Sequence, residues 1–154
     1  MKILIVDDEP VNLAAIDAAL RDSYSMVFAR NGAEALAAAH KHSPSLILLD
    51  VQLPDRDGYS VCCELKADER TEAIPVIFVT SKNEATDEAN GFAAGGVDYI
   101  TKPFSSDILK ARVKTHLSLV RASKLERSYN DALYMLSQAG HFNDNDTGVH
   151  IWRM

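Results

Sequence analysis

Apolar residues along this chain come in blocks. Ile3-Leu4-Ile5-Val6, Leu46-Ile47-Leu48-Leu49 and Val76-Ile77-Phe78-Val79 are unbroken runs bounded by turn signals. Such runs predict strands buried on both faces, as in a parallel sheet. Ser25 to Ala29 and Val97-Asp98-Tyr99-Ile100 predict two more. Between these blocks the period changes. Val11, Ala14, Ala15, Ala18 and Ala19 recur at helical spacing after Pro10, a residue suited to a first helical turn. Ala33 to His40 reads as an alanine-rich helix between the Asn31-Gly32 turn and the Ser43-Pro44 break. Asp57-Gly58 opens a helix to about Lys66, and a polar loop follows through Ala73. The fourth strand is expected over Ile74 to Val79, with Pro75 near its start because proline cannot donate a ladder bond. Glu84 to Ala94 predicts a weakly striped helix closed by Gly95-Gly96, and a last helix begins near Ser106. Strands and helices alternate throughout, which predicts an α/β fold: a doubly wound parallel sheet with helices on both faces.

The last helix runs on. From Ser106 to Ser137 there is no proline or glycine. Val113, Leu117 and Val120 recur at spacings of four and three, and Leu125, Tyr129, Ala132 and Leu136 do so again, offset by one residue. The first stripe is expected to cover the sheet. The second has no obvious surface left in the domain, and a 4-3 repeat of this kind suggests a coiled-coil seam joining two copies. The competing reading is one long helix folded back on the domain. On this basis residues 1–121 form the main domain and residues 122–137 a helical, coiled-coil-forming linker.

The ends of the strands carry the chemistry. The first apolar run leads into Asp7-Asp8, the third strand into Asp50, the fourth into Thr80-Ser81 and the fifth into Thr101-Lys102-Pro103-Phe104. In open α/β sheets the carboxyl edge is where ligands bind. Three carboxylates gathered there repel one another unless a cation intervenes, and hard oxygen ligands suit Mg²⁺. One of them can then act as a nucleophile towards a phosphoryl group, forming an aspartyl phosphate. Thr80 and Lys102 can each hold a phosphoryl oxygen, and such a transfer needs little beyond positioning and charge neutralisation. Any one of these residues alone reads as a strand-end acid or a surface lysine; the joint placement carries the inference.

Bulk properties narrow the classes. A net charge of -6 without a basic cluster gives no support to nucleic-acid binding. No apolar run approaches the roughly 20 residues needed to span a bilayer, and Met1-Lys2 enters a strand directly, leaving no room for a signal peptide. The two cysteines, Cys62 and Cys63, are adjacent and form no disulfide framework; a reduced, cytoplasmic protein is expected, against the alternative of a vicinal redox pair.

Asp7-Asp8, Asp50 with Pro54 and Asp57-Gly58, Thr80-Ser81, and Tyr99 before Lys102-Pro103-Phe104 together resemble the receiver domain of two-component response regulators, over residues 1–121. The resemblance implies a flavodoxin-like (βα)5 sheet of order 2-1-3-4-5, here with an extended C-terminal helix. It implies that Asp50 is the phosphoacceptor and that Asp7, Asp8, Asp50 and the backbone carbonyl of Gln52 hold Mg²⁺. Thr80 with Ser81, Tyr99 and Lys102 form the phosphate-binding and switch set, and Lys102-Pro103 is expected to be cis. The implied partner is a sensor histidine kinase or phosphotransfer protein, with acetyl phosphate as a small alternative donor. Phosphorylation adds nearly two charges and three acceptor oxygens. Thr80 and Lys102 are drawn in, space opens for Tyr99 to turn, and the surface of the fourth helix, fifth strand and fifth helix changes. The alternative for Tyr99 is a static strand residue.

The tail, residues 138–154, adds one more motif. Asp146 and His150 are four apart, so on a helix they would share a face, although such a pair is common by chance. Asp144-Asn145-Asp146-Thr147-Gly148-Val149-His150-Ile151, then Arg153-Met154, resemble the opening of an HD-GYP phosphohydrolase domain. Members of that family hydrolyse cyclic di-GMP with two or three metal ions. Asp146 and His150 match positions that can be ligands there, with aspartate where glutamate is more usual. The sequence holds no His-Asp dyad and no Gly-Tyr-Pro triplet, so the chain is expected to be regulatory rather than an enzyme. It reads as the receiver half of a longer cyclic di-GMP phosphodiesterase, with Phe142, Ile151 and Trp152 in a tail that is disordered, swapped or packed in a dimer contact. Two other classes compete. A haloacid-dehalogenase-like phosphatase needs a second acid two residues after its nucleophile, where Gln52 stands. A phosphorylation-independent dimerisation or interaction module would keep the fold without the chemistry.

Overall fold

The computed structural model describes residues 1–143, with side chains as far as residue 139. Five strands, β1 (Lys2–Val6), β2 (Ser25–Ala29), β3 (Leu46–Leu49), β4 (Val76–Thr80) and β5 (Asp98–Thr101), alternate with five helices. The helices are α1 (Pro10–Leu20), α2 (Gly32–His42), α3 (Gly58–Ala67), α4 (Ala85–Ala93) and α5 (Ser106–Asn143). All strand pairs are parallel and the order is β2-β1-β3-β4-β5, as the resemblance implied. The chain reverses its winding between β1 and β3, the crevice where such sheets bind ligands.

Strand parity sorts the apolar blocks into two cores. Ile3, Ile5, Leu46, Leu48, Ile77 and Val79 face Leu13 and Ile16 of α1 and Leu109, Val113 and Leu117 of α5. Leu4, Val6, Ile47, Leu49, Val76 and Phe78 face Ala35 and Ala39 of α2 and Val61, Cys62 and Leu65 of α3. Residues buried on both faces have no polar side to display, which is why the sequence shows runs instead of alternation.

Boundaries shift where local chemistry decides. β4 begins at Val76 rather than at residue 74, because Pro75 lacks a donor; its carbonyl still accepts from Ile47 N at 3.0 Å. Ser43 closes α2 in the left-handed region, at φ 45°. α5 continues through Gly140, past the expected end at residue 137, since glycine weakens a helix without blocking its hydrogen bonds. Both cysteines are free. Cys62 is buried, and burial pushes its thiol up to about 11, so the thiolate needed for redox chemistry is disfavoured.

The chain divides into two units, Met1–Leu117 and Ser118–Met154. In the second unit Leu119, Leu125, Tyr129, Leu133, Tyr134, Met135 and Leu136 are exposed. Among the described residues, no helix is long and apolar enough to cross a membrane. Asp146, His150, Ile151 and Trp152 lie outside the described residues, as does the side chain of Phe142.

Candidate functional site

The first residues beyond β1 and β3 are still held by ladder bonds, Asp7 N to Ala29 O at 3.1 Å and Asp50 N to Val6 O at 3.0 Å. The two acids are therefore fixed at the sheet edge like strand residues. Both are buried, at 1% and 5% exposure, while Asp8 is exposed. One carboxylate oxygen from each of Asp7, Asp8 and Asp50 lies within 4.8 Å of the others, close enough to share one small cation.

Lys102 reaches this cluster from β5. Its backbone N–H donates to Thr80 O at 2.8 Å, and its ammonium bridges Asp7 Oδ2 at 2.5 Å and Asp50 Oδ2 at 3.0 Å. Burial alone would lower its pKa; the hydrogen bonds to Asp7 and Asp50 outweigh that and hold it above the usual lysine range. The sequence reading gave Lys102 to the phosphoryl group, and here it pairs with the acids. Lys102-Pro103 is cis, as expected.

The remaining oxygens are also aimed by the backbone. Asp7 Oδ1 accepts from Glu9 N at 3.0 Å, and Asp50 Oδ1 accepts from Gln52 N at 3.1 Å. Gln52 continues into the loop after β3, where its side-chain Oε1 accepts from Ser81 Oγ at 3.2 Å. The loop is short because Gly58 folds back onto it: Gly58 N donates to Val51 O at 2.7 Å. A Cβ at position 58 would stand 2.2 Å from the carbonyl oxygen of Asp50. Asp55 ties the same loop to the start of α2 by accepting from Gly32 N at 2.8 Å and Ala33 N at 3.0 Å. The Gly32 bond draws its pKa below the usual carboxylate value.

Thr80 is fully buried at the end of β4, its hydroxyl accepting from Lys82 N at 3.4 Å. Tyr99 is turned into the fold: it is 8% exposed and its hydroxyl donates to Lys82 O at 2.9 Å. Burial pushes its phenol well above the ordinary range. Sequence reasoning missed Asp55, and it missed Tyr59, whose hydroxyl lies 3.3 Å from that of Tyr99. Tyr59 directly follows the Asp57-Gly58 signal, but no linear pattern ties it to a partner 40 positions on.

The response regulator receiver domain model matches residues 3–114, most of the chain. This chain belongs to the response regulator receiver family. Among solved receivers, that of the sensor histidine kinase PA1611 of Pseudomonas aeruginosa PAO1, with a magnesium ion coordinated in its active site cleft, is 34% identical. Its TM-score is 0.71, covering 76% of this chain and 97% of that one. The BeF3-activated N-terminal receiver domain of Klebsiella pneumoniae RstA is 30% identical with a TM-score of 0.70, covering 76% of this receiver and 98% of RstA's. A probable cyclic di-GMP phosphodiesterase of Vibrio cholerae serotype O1 is 36% identical over 98% of this chain and 38% of its own length. Response regulator PleD of Caulobacter vibrioides is 39% identical over 74% of this chain and 25% of its own length. The chain thus spans half or less of the length of these curated relatives. The acidic cluster at which receivers bind Mg²⁺ is present here.

Proposed function

We propose that this receiver is a phosphoacceptor that takes a phosphoryl group on Asp50 and passes its state to an output through α5. The observation that carries the reading is the buried Asp50, joined to Asp7 by one lysine at the ends of three strands. An Asp50 carboxylate oxygen attacks phosphorus as the bond to the donor breaks. The leaving group, a histidine imidazole or the acetate of acetyl phosphate, takes the electron pair. Asp7, Asp8, Asp50 and the Gln52 carbonyl would hold Mg²⁺, whose charge would offset that of the phosphoryl oxygens. Lys102 then gives up its bond to Asp50 for a phosphoryl oxygen, and Thr80, with its neighbour Ser81, supplies hydroxyl contacts. Tyr99 reports that change to the α4-β5-α5 surface. The partner is a sensor histidine kinase or phosphotransfer protein, and the setting is cytoplasmic.

The output we assign is a cyclic di-GMP phosphodiesterase domain of HD-GYP type beginning within residues 138–154, with Asp146 and His150 as its first metal ligands. The similarity to the Vibrio cholerae protein, which covers nearly this whole chain, supports it. The chain itself acts as a regulator rather than an enzyme. Residues 122–137 are the linker and pair two copies. Ala122, Leu125, Tyr129, Ala132 and Leu136 form one continuous 4-3 seam. On either side of it Arg121 and Glu126 are five residues apart, the spacing at which opposite charges of two parallel helices meet.

Intact mass after incubation with acetyl phosphate and Mg²⁺ tests the central claim. One added phosphoryl group is expected on the native chain and none on Asp50→Asn. Failure of the native chain to gain it would leave the phosphorylation-independent interaction module as the reading.

A further inference from the structure

The inward position of Tyr99 is built from both sides. Its ring stacks at a tilt on Phe78 of β4, with centroids 5.9 Å apart, and Phe78 in turn meets Tyr59 in an edge-type contact with centroids 5.3 Å apart. On the α4 side stands Gly91. A Cβ there would lie 2.9 Å from Tyr99 Cδ2, and 3.1 Å from both Tyr99 Cε2 and Phe78 Cδ2. Glycine inside a nine-residue helix weakens it relative to alanine. What position 91 gains in exchange is room for the tyrosine ring.

Above the ring, three oxygen contacts share two hydroxyl hydrogens. Tyr59 Oη lies 2.8 Å from Asp87 O, Tyr99 Oη 2.9 Å from Lys82 O, and the two hydroxyls 3.3 Å from each other. Each phenol has one hydrogen to donate. If both hydrogens go to the carbonyls, Tyr59 ties α3 to the first turn of α4 while its oxygen rests against Tyr99. If Tyr59 donates to Tyr99 instead, the Asp87 carbonyl is released. The hydroxyl of Tyr59 therefore connects the place of α4 with the place of Tyr99.

We infer that Tyr59 and Gly91 are positioning residues that set how readily Tyr99 lies inward, and through Tyr99 how tightly Asp50 holds a phosphoryl group. The inference rests on the phosphoacceptor reading above. If inward Tyr99 and an occupied Asp50 belong to the same state, linkage makes the coupling reciprocal: a variant that lowers the fraction of chains with the ring inward weakens the ligand in proportion to that loss. Gly91 sets the room available, and Tyr59 sets the hydrogen bonding.

The test is the affinity of the full chain for beryllofluoride with Mg²⁺, which stands in for the phosphoryl group, combined with the NMR environment of the Tyr99 ring. Gly91→Ala should move the ring towards a solvent-like environment and weaken beryllofluoride about tenfold, the scale of a modest steric clash. Tyr59→Phe keeps the aromatic stack and should weaken it about threefold, the scale of one neutral hydrogen bond. In a Tyr99→Ala background both penalties should vanish. Penalties that persist there, or variants that bind like the native chain, overturn the inference while leaving the phosphoacceptor reading intact. A native chain that binds no beryllofluoride overturns both.

Discussion

Within α5, Leu109, Val113 and Leu117 are 0–3% exposed, whereas Leu125, Tyr129 and Leu136, further along the same helix, are 59–71% exposed. Both groups repeat at helical spacing. The first finds Ile5, Leu48 and Ile77 of its own sheet to cover. The second lies in the unit from Ser118 on, where the side chains with the same pattern face solvent. Periodicity tells which side of a helix is sticky; whether that side is satisfied depends on the surface at hand. The first unit buries its part of the helix against its own sheet and holds a lysine between two buried acids. Among the described residues of the second, Leu125, Tyr129 and Leu136 stay exposed.

Four outcomes sharpen this contrast, beginning with the largest. Asp50→Asn should abolish phosphoryl incorporation, while Leu125→Ala should leave the extent of incorporation unchanged by intact mass, because the proposed phosphoacceptor lies in the first unit and Leu125 in the second. Next come two identical truncations in one helix. Leu117→Ala should cost about 2–5 kcal/mol in urea unfolding as a buried large-to-small change. Leu125→Ala should cost under about 0.5 kcal/mol in the dilute monomer, and should appear instead as weaker self-association by sedimentation. Equal unfolding penalties at both positions would erase the distinction between the units.

A smaller effect is set by pH. Asp98 accepts from Arg112 Nη1 at 2.6 Å, lies 3.1 Å from His116 Nε2, and accepts from the N–H of Tyr99. Burial alone would raise its pKa, but those bonds hold it below the usual value. A carboxylate lowered in the folded state contributes stability that is complete above its unfolded pKa of about 3.9 and lost as pH falls through the folded value. The gap in melting temperature between the native chain and Asp98→Asn should therefore be open at neutral pH and close in acid. A gap that widens below pH of about 4 would contradict the assignment. The least effect belongs to the proposed seam. Arg121→Glu should weaken self-association by about 0.5 kcal/mol per exposed pair, and adding Glu126→Arg should restore it. No restoration would argue against a parallel pairing.

Much of the first unit was legible from sequence because parallel strands bury both faces and leave unbroken apolar runs. Each run pointed to the polar residue at its end, so Asp7, Asp50, Thr80 and Lys102 could be placed at one edge before any geometry was known. What the sequence left unread depends on contacts across the chain. It paired Asp7 with Asp8 as equals, yet only Asp7 is buried. It gave Lys102 to a phosphoryl group and did not read the ammonium's bonds to the Asp7 and Asp50 carboxylates. It offered Tyr99 either as a switch or as a static strand residue, without the Lys82 carbonyl that its inward hydroxyl meets. Asp55, Tyr59 and Gly91 act on residues from 8 to 40 positions away, and no local pattern marks such pairs.

The close approach of Gly58 to Asp50 has a genetic reading. Every amino acid other than glycine carries a β-carbon, and at this position that atom falls 2.2 Å from the carbonyl oxygen of Asp50, the proposed phosphoacceptor. Every missense change in that one codon thus strikes the backbone of Asp50, however small or polar the replacement. In a saturation library of this receiver, codon 58 should be as intolerant as codon 50 itself, although its residue contributes no functional group at all.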